Sequence, residues 1–474
     1  MSKTASRMIR ETAPREGAPA RSGFGALRGM RGVRGVGMGI LAMWSSGGWA
    51  WGEERFPPPE FRTGYTIPTD VFPSPASGMW NFLDTGLLLL ALSLAAWLVF
   101  YRRSRRGVFL LTCCAVAYFG FVRKGCVCPI GSIQNVSEAA FTGAALPWVV
   151  GAFFALPLIF VLLFGRVFCS CVCPLGAIQD LFTWKTVHVP RWLEVSLGLF
   201  AYFYLGLAVL YAACGGAYII CQYDPFVPMF RLSGPSYMFL IGGLLLAVGV
   251  VVGRPYCRFI CPYGVILRLL SPFSRKQVSI TPAECIDCRL CEKSCPYNAI
   301  RLPTLHAKAQ SPRAGKGTLL AIVVLSPVLI ALLALLGYRS GDTLSLLHRD
   351  VQLAREVAAD QASRAETPTD TLKVFRASGQ TPDELYAGVD GLRLRFRHGA
   401  ALLGVWMGLV VSGKLISHTI RRRRGDYSAD PGTCVACARC FSSCPVELKR
   451  RGVFTTEDVE KARRTAAEAG GGTT

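Results

Sequence analysis

Eight of the chain's 19 cysteines fall into two runs of one spacing, Cys285-x2-Cys288-x2-Cys291-x3-Cys295-Pro296 and Cys434-x2-Cys437-x2-Cys440-x3-Cys444-Pro445. Thiolates in this phasing hold 4Fe-4S clusters, which move single electrons. A zinc site is the competing reading. Zinc takes four soft ligands as two pairs, however, and a doubled x2-x2-x3-Pro pattern leaves it little room.

A second pattern precedes these runs. Gly165-Arg166-Val167-Phe168-Cys169-Ser170-Cys171-Val172-Cys173-Pro174-Leu175-Gly176 and Gly253-Arg254-Pro255-Tyr256-Cys257-Arg258-Phe259-Ile260-Cys261-Pro262-Tyr263-Gly264 share a Gly-Arg-x-x-Cys-x3-Cys-Pro-x-Gly core. Two such half-sites supply four thiolates, so Cys169, Cys173, Cys257 and Cys261 are expected to hold a third cluster, with zinc open as an alternative because spacing alone does not separate the metals. A degenerate third copy reads Arg123-Lys124-Gly125-Cys126-Val127-Cys128-Pro129-Ile130-Gly131, with Lys124 where the first thiol stands in the others. Together with Cys214 and Cys221, its Cys126 and Cys128 form a further four-thiolate set, for a 2Fe-2S or 4Fe-4S cluster. The alternatives there are a disulfide between Cys214 and Cys221 or ordinary buried thiols. Cys113 and Cys114 read as core, and Cys171, aligned with Cys126, is unassigned.

No other redox group is legible. The chain has no Cys-x-x-Cys-His haem attachment site and no Gly-x-Gly-x-x-Gly dinucleotide fingerprint, and its five histidines are scattered. Thr142-Gly143-Ala144 lacks the following threonine of a flavin attachment sequence and reads as a loop. No catalytic residue is expected.

The elements that must position these thiols are mostly apolar helices. Hydrophobic residues make up 51% of the chain, and membrane-length stretches run over 82–101, 108–122, 146–164, 193–213, 237–252, 317–337 and 399–417. The fold class expected is therefore an α-helical polytopic membrane protein of about seven spans. Alternating the chain from an inside amino terminus puts 37 of the 52 Lys and Arg on inside segments, as the positive-inside rule requires. The net charge of +22 is thus a topology signal rather than a nucleic-acid footprint. On this alternation both cysteine runs face the inside, and Cys126, Cys128, Cys214 and Cys221 face the outside.

The organisation expected is a basic leader with a signal peptide or signal anchor over 1–52 and a Pro-rich periplasmic linker over 53–81. A membrane core carries the Cys-Pro half-sites over 82–275. The first cysteine run lies in 276–316, followed by a span at 317–337, a periplasmic helical cap at 338–398 and a returning span at 399–418. The second run lies in 419–452, and a tail occupies 453–474. Trp184, Trp192 and Tyr223 are interfacial anchors by default, although they would also suit a quinone pocket.

The two runs resemble those of bacterial two-cluster ferredoxins, where the first three cysteines hold one cluster and the fourth crosses to the other. That resemblance implies the sets Cys285, Cys288, Cys291, Cys444 and Cys434, Cys437, Cys440, Cys295, in a split α+β ferredoxin domain on the cytoplasmic face. Taken together, the paired Cys-x3-Cys-Pro motifs and the ferredoxin runs resemble the NosR/NapH-type membrane polyferredoxins, over about residues 123–451. This resemblance implies electron transfer between a cytoplasmic or quinol donor and a periplasmic flavoprotein or metalloenzyme, in a bacterial inner membrane. The segment 53–77 is too short for an FMN domain, so FMN is expected only through a partner. A maturation factor for a copper oxidase or reductase and a quinol dehydrogenase module are the alternative functions.

Overall fold

The computed structural model of the protein describes residues 78–125, 128–184, 186–187, 189–216, 218–280, 285–304, 312–362, 369–420, 424 and 426–470. The leader and signal segment and all but the end of the Pro-rich linker, together with Cys126, lie outside them.

Every apolar stretch expected to span is a helix. The first two are α1 (Gly78–Phe100) and α2 (Arg105–Ala115), the latter continuing as a π-helix over Val116–Val122. Next come α3 (Pro129–Thr142), α4 (Trp148–Phe164), a π-helical turn at Phe168–Val172, α5 (Pro174–Phe182) and α6 (Arg191–Ala213). Short helices α7 (Ile219–Tyr223) and α8 (Phe226–Arg231) lead to α9 (Ser236–Val251), α10 (Pro255–Phe259) and α11 (Pro262–Leu270). Five helices among the described residues are long and apolar enough to cross a membrane: Gly78–Phe100, Arg105–Val122, Arg191–Ala213, Gly315–Ser345 and Pro382–Thr419. Helices α4 and α9 are apolar but shorter, at 17 and 16 residues.

Each Cys-Pro half-site of the helical core, the degenerate copy included, starts a helix in the same way. Cys128, Cys173 and Cys261 are the N-cap residues of α3, α5 and α11, and the proline that follows occupies the first turn. Proline suits that position because its missing N–H would have no intrahelical partner and its fixed φ is already helical. The motif therefore places a thiol at a helix entrance. In the Phe168–Val172 turn, which carries Cys169 and Cys171, the helix widens to π geometry, a local distortion that recurs at functional sites.

After α11 come α12 (Leu290–Lys293) and β1 (Ile300–Arg301), then the long helix α13 (Pro312–Ser345). The cap is built from α14 (Arg349–Gln361), α15 (Asp370–Ser378) and the start of α16 (Pro382–Thr419), packed on Val351, Val357, Leu372, Phe375 and Leu385. The sequence places a helical cap at 338–398 and a separate apolar span after it. In the structure α16 instead runs unbroken from the cap into the apolar stretch, because no proline interrupts it after Pro382.

Helices α13 and α16 approach backbone to backbone through Gly337-x3-Gly341 and Gly404-x3-Gly408. A Cβ at Gly337 would collide with the Ala400 carbonyl, and one at Gly404 with the Leu333 carbonyl. Such small-x3-small faces let apolar helices pack closely where no hydrophobic driving force separates helix from lipid.

The hairpin of α13 and α16 delivers β2 (Ser428–Ala429) beside β1, paired antiparallel with Ile300 opposite Ala429 and Arg301 opposite Ser428. The remaining elements are α17 (Arg439–Ser443), α18 (Pro445–Arg450) and α19 (Thr456–Gly470). Asp430 N donates to Ala299 O at 2.8 Å, and Arg301 pairs with Asp430 at 2.9 Å. The two halves of the α+β domain, 127 residues apart at this sheet, thus close into one unit.

Candidate metal centres

Two hollows of about 370 Å³, partly open to solvent, lie in the α+β unit. One is lined by Cys285, Cys288, Cys291 and Cys444, the other by Cys295, Cys434, Cys437 and Cys440. The fourth cysteine of each run has crossed to the other run's hollow. Apart from the thiols the walls are largely apolar: Ile280, Ile286 and Val446 in the first, Val278, Ile300 and Val435 in the second.

The two loops share an unusual backbone. Asp287 and Arg289 have φ of 55° and 54°, and Ala436 and Ala438 have φ of 53° and 59°. These are the third and fifth residues of each run. A non-glycine side chain in the left-handed region costs about 1–2 kcal/mol, so two copies of the same strain point to a loop shaped by what it holds. Burial pushes the Cys291 and Cys434 thiols up to about 12, with nearby thiols adding to the effect. Binding a metal there therefore releases protons. Four thiols, an apolar wall and loops bent around them fit a 4Fe-4S cluster in each hollow.

The third set is gathered from two helix entrances and is more deeply buried. Cys169, Cys173 and Cys261 are 9, 5 and 6% exposed. A Cβ at Gly176 would meet Cys169 O at 3.3 Å and Cys257 Sγ at 3.5 Å, and one at Gly264 would meet Cys257 O at 3.3 Å, so the two half-sites lie against each other. Each half-site braces the other. Arg254 packs over Gly176 and donates to the Cys169 and Ser170 carbonyls, while Arg166 packs by Gly264 and reaches Cys169 Sγ at 3.7 Å. Gln179 Nε2 donates to Cys257 Sγ at 3.4 Å, and Gly264 N to Cys261 Sγ at 3.4 Å.

Sequence reasoning missed the ionic joint that ties this set to the α+β unit. The Asp180 carboxylate, fully buried, takes Arg105 at 2.5 Å, Arg439 at 3.0 Å and the Tyr297 hydroxyl at 3.1 Å, with Arg254 at 3.6 Å. The three guanidinium groups hold its carboxyl far below the usual range against the opposing effect of burial. Arg254 also lies over the Tyr297 ring, 5.5 Å from its centroid. Tyr297 lines the second hollow, two residues after Cys295. Arg166 makes a parallel tie, donating to Gly432 O at 2.9 Å, just before Cys434. Cys171 belongs to this joint rather than to the thiol group: it accepts from Ser170 Oγ and feels Arg254, Arg105 and Asp180.

The expected fourth set is divided. A Cβ at Gly131, three residues past Cys128, would lie 3.1 Å from Cys221 Sγ, and the charges of Cys221 and Asp224 both reach Cys128. Cys214, at the end of α6, instead lies by Tyr211 and within reach of Arg395. Among the described cysteines none is in a disulfide, Cys214 and Cys221 included. His398 lies in the middle of α16 and His418 next to its end, and Gly143 of the Thr142-Gly143-Ala144 loop is the left-handed C-cap of α3.

With this geometry in view, comparison with known proteins gives a consistent answer. A 4Fe-4S binding domain matches residues 146–199 and 234–281, the segments that carry the third set, and a second 4Fe-4S binding domain matches 278–301, the first cysteine run. The chain is 33% identical over 66 residues to an uncharacterized protein of Methanocaldococcus jannaschii, covering 14% of this chain and 27% of the relative. It is 28% identical over 118 residues to the Escherichia coli protein named "Putative electron transport protein YccM", covering 23% and 33%. A second uncharacterized Methanocaldococcus jannaschii protein is 29% identical over 108 residues, covering 22% and 40%. The chain thus spans between 27 and 40% of the length of these relatives. No solved structure matches it significantly. The chain carries ferredoxin-type 4Fe-4S domains among long apolar helices, as an iron–sulfur electron-transport protein of a membrane does.

Proposed function

We propose that this protein is a transmembrane electron conduit of about seven spans, with both ferredoxin halves on the cytoplasmic face of a bacterial inner membrane. It passes single electrons between a cytoplasmic or quinol donor and a periplasmic flavoprotein or metalloenzyme, and FMN enters only through such a partner. The clusters, when bound, supply one-electron chemistry, and the chain's own residues hold and space them. Cys285, Cys288, Cys291 and Cys444 hold one, Cys295, Cys434, Cys437 and Cys440 a second, and Cys169, Cys173, Cys257 and Cys261 a third.

The observation that carries this reading is the joint at Asp180. A ferredoxin unit that merely needed a membrane anchor would not require a buried carboxylate shared by Arg105, Arg254, Arg439 and Tyr297 between two thiol groups. A conduit does, because electron transfer demands a fixed separation. The test is a reductive titration of the purified protein in lipid, followed by electron paramagnetic resonance. Three magnetically interacting clusters are expected, and Cys257→Ala should remove one of them without disturbing the ferredoxin pair. Isolated, non-interacting ferredoxin signals alone would refute the conduit.

A further inference from the structure

The degenerate Cys-Pro copy is longer than its cysteines. Cys128-Pro129-Ile130-Gly131-Ser132-Ile133-Gln134 matches Cys173-Pro174-Leu175-Gly176-Ala177-Ile178-Gln179 at the Cys, Pro, Gly, Ile and Gln positions. The structure reproduces the match in space. Gln179 Oε1 accepts from Tyr256 N at 3.1 Å, the residue before Cys257, and Gln134 Oε1 accepts from Ile220 N at 3.1 Å, the residue before Cys221. A Cβ at Gly176 would meet Cys257 Sγ at 3.5 Å, and one at Gly131 would meet Cys221 Sγ at 3.1 Å. Cys128 and Cys221 therefore stand to each other as Cys173 and Cys257 do.

In this second frame the Cys261 position is held by a carboxylate and the Cys169 position by Lys124, which leaves three ligands. Where Cys257 is followed by Cys261-Pro262, Cys221 is followed, one residue sooner, by Asp224-Pro225. Asp224 is 3% exposed and held in place by Phe226 N at 2.9 Å and the Tyr256 hydroxyl at 2.5 Å. Each oxygen has accepted one such bond and keeps a lone pair. Tyr256 adjoins Cys257, so this contact also bridges the two frames.

One further buried group is left for a ligand to satisfy. Gln134 is fully buried, and among the described residues its Nε2 has no partner. The equivalent Nε2 of Gln179 donates to a cluster-set thiol, Cys257 Sγ, at 3.4 Å. A buried amide N–H left unpaired costs about 1–3 kcal/mol, and a thiolate or sulfide at the Cys221 position would remove that cost.

We infer that Cys128, Cys221 and Asp224 form a further iron–sulfur site with mixed thiolate and carboxylate ligation, distinct from the all-thiolate sites. It rests on the electron-conduit reading and extends the path beyond the third set. Tyr256, which donates to Asp224, directly precedes Cys257, so the two sites are neighbours. Cys221 is exposed, which opens the new site at the protein surface as an exchange point for a partner. Exchanging a thiolate for a carboxylate changes the ligand but not its charge, so this site is expected to have a potential of its own, distinct from those of the all-thiolate sites.

The test uses the full chain, purified anaerobically and reconstituted with iron and sulfide, with iron content, electron paramagnetic resonance and potentials as readouts. Cys221→Ser should lose one cluster's share of iron and one signal, and Cys214→Ser should lose neither. Asp224→Cys should keep that signal at a shifted potential, and the other clusters' signals, unchanged in Cys221→Ser, exclude a folding defect there. Full iron and all signals in Cys221→Ser would overturn the site. So would a single copper or zinc ion bound by Cys128 and Cys221, or a disulfide between them in the anaerobic protein. If the wild type lacks ferredoxin signals altogether, the conduit reading fails as well. If those signals persist and only the Cys221 result fails, this inference alone falls.

Discussion

Tyr297 donates its hydroxyl to Asp180 at 3.1 Å although 117 residues separate them, and this bond joins the rim of a ferredoxin hollow to the helix that Cys173 caps. Asp180 neutralises part of a cluster of three arginines that would otherwise repel one another in a buried space. Removing one partner from a buried charge group leaves the others uncompensated and costs about 3–5 kcal/mol.

Asp180→Asn should therefore loosen the ferredoxin unit from the helices. Limited proteolysis should cut the variant after Arg301 or before Tyr427 under conditions where the wild type resists. Equal resistance would mean that the joint carries no stability.

The same carboxylate sets a pH window. Its folded pKa lies far below the ordinary carboxylate value of 3.8, so its contribution is complete above about pH 5 and is lost only as the pH falls toward the depressed value. Docking of the ferredoxin unit should be constant from pH 8 to 5 and weaken only in stronger acid. Hydrogen exchange at residues 295–301 checks this, and protection that already falls between pH 8 and 6 would point to another group.

Cross-ligation makes a paired prediction. Cys444→Ala should abolish the cluster that Cys285, Cys288 and Cys291 hold, and Cys295→Ala the one that Cys434, Cys437 and Cys440 hold. The site-specific loss is read by resonance spectra of the two variants, each compared with Cys288→Ala and Cys437→Ala. Losses that follow the linear order of the runs would contradict the crossing.

Gln179→Leu removes the amide N–H that reaches Cys257 Sγ. Hydrogen bonds to sulfur stabilise the reduced form, so the third cluster's potential should fall while its iron content holds. A potentiometric titration measures the shift, and a rise in potential would be incompatible with this role.

Gly404→Leu should separate α13 from α16, because the added side chain meets the Leu333 carbonyl. The overpacking costs about 1–3 kcal/mol and acts on the hairpin that returns the second ferredoxin half to the first. Both ferredoxin clusters should assemble poorly while the Cys169–Cys261 set is retained, as iron counts and spectra would show.

The candidate thiols stand out in sequence because cluster ligation is local, with three cysteines at x2-x2 and a Cys-Pro, and the structure lines one hollow with each of the two expected ferredoxin sets. The joint does not stand out. Arg166 and Arg254 follow apolar stretches and read as topology markers, and Asp180 is a lone acid whose partners lie 75, 117 and 259 residues away. The left-handed Asp287, Arg289, Ala436 and Ala438 carry no compositional sign, since glycine would have announced such a conformation and these residues do not. The Ile-Gln extension shared by Gln134 and Gln179 was in plain view but passed over, because a neutral amide suggests no chemistry until its partner is seen.

The most direct test of the central claim is vectorial electron transfer in sealed proteoliposomes in which the ferredoxin unit faces outward, with an impermeant low-potential reductant outside and an impermeant ferric acceptor trapped within. Reduction of the trapped acceptor by the wild type, abolished in Cys257→Ala, is the result predicted. Full reduction of the ferredoxin clusters with no change in the trapped acceptor would contradict the account.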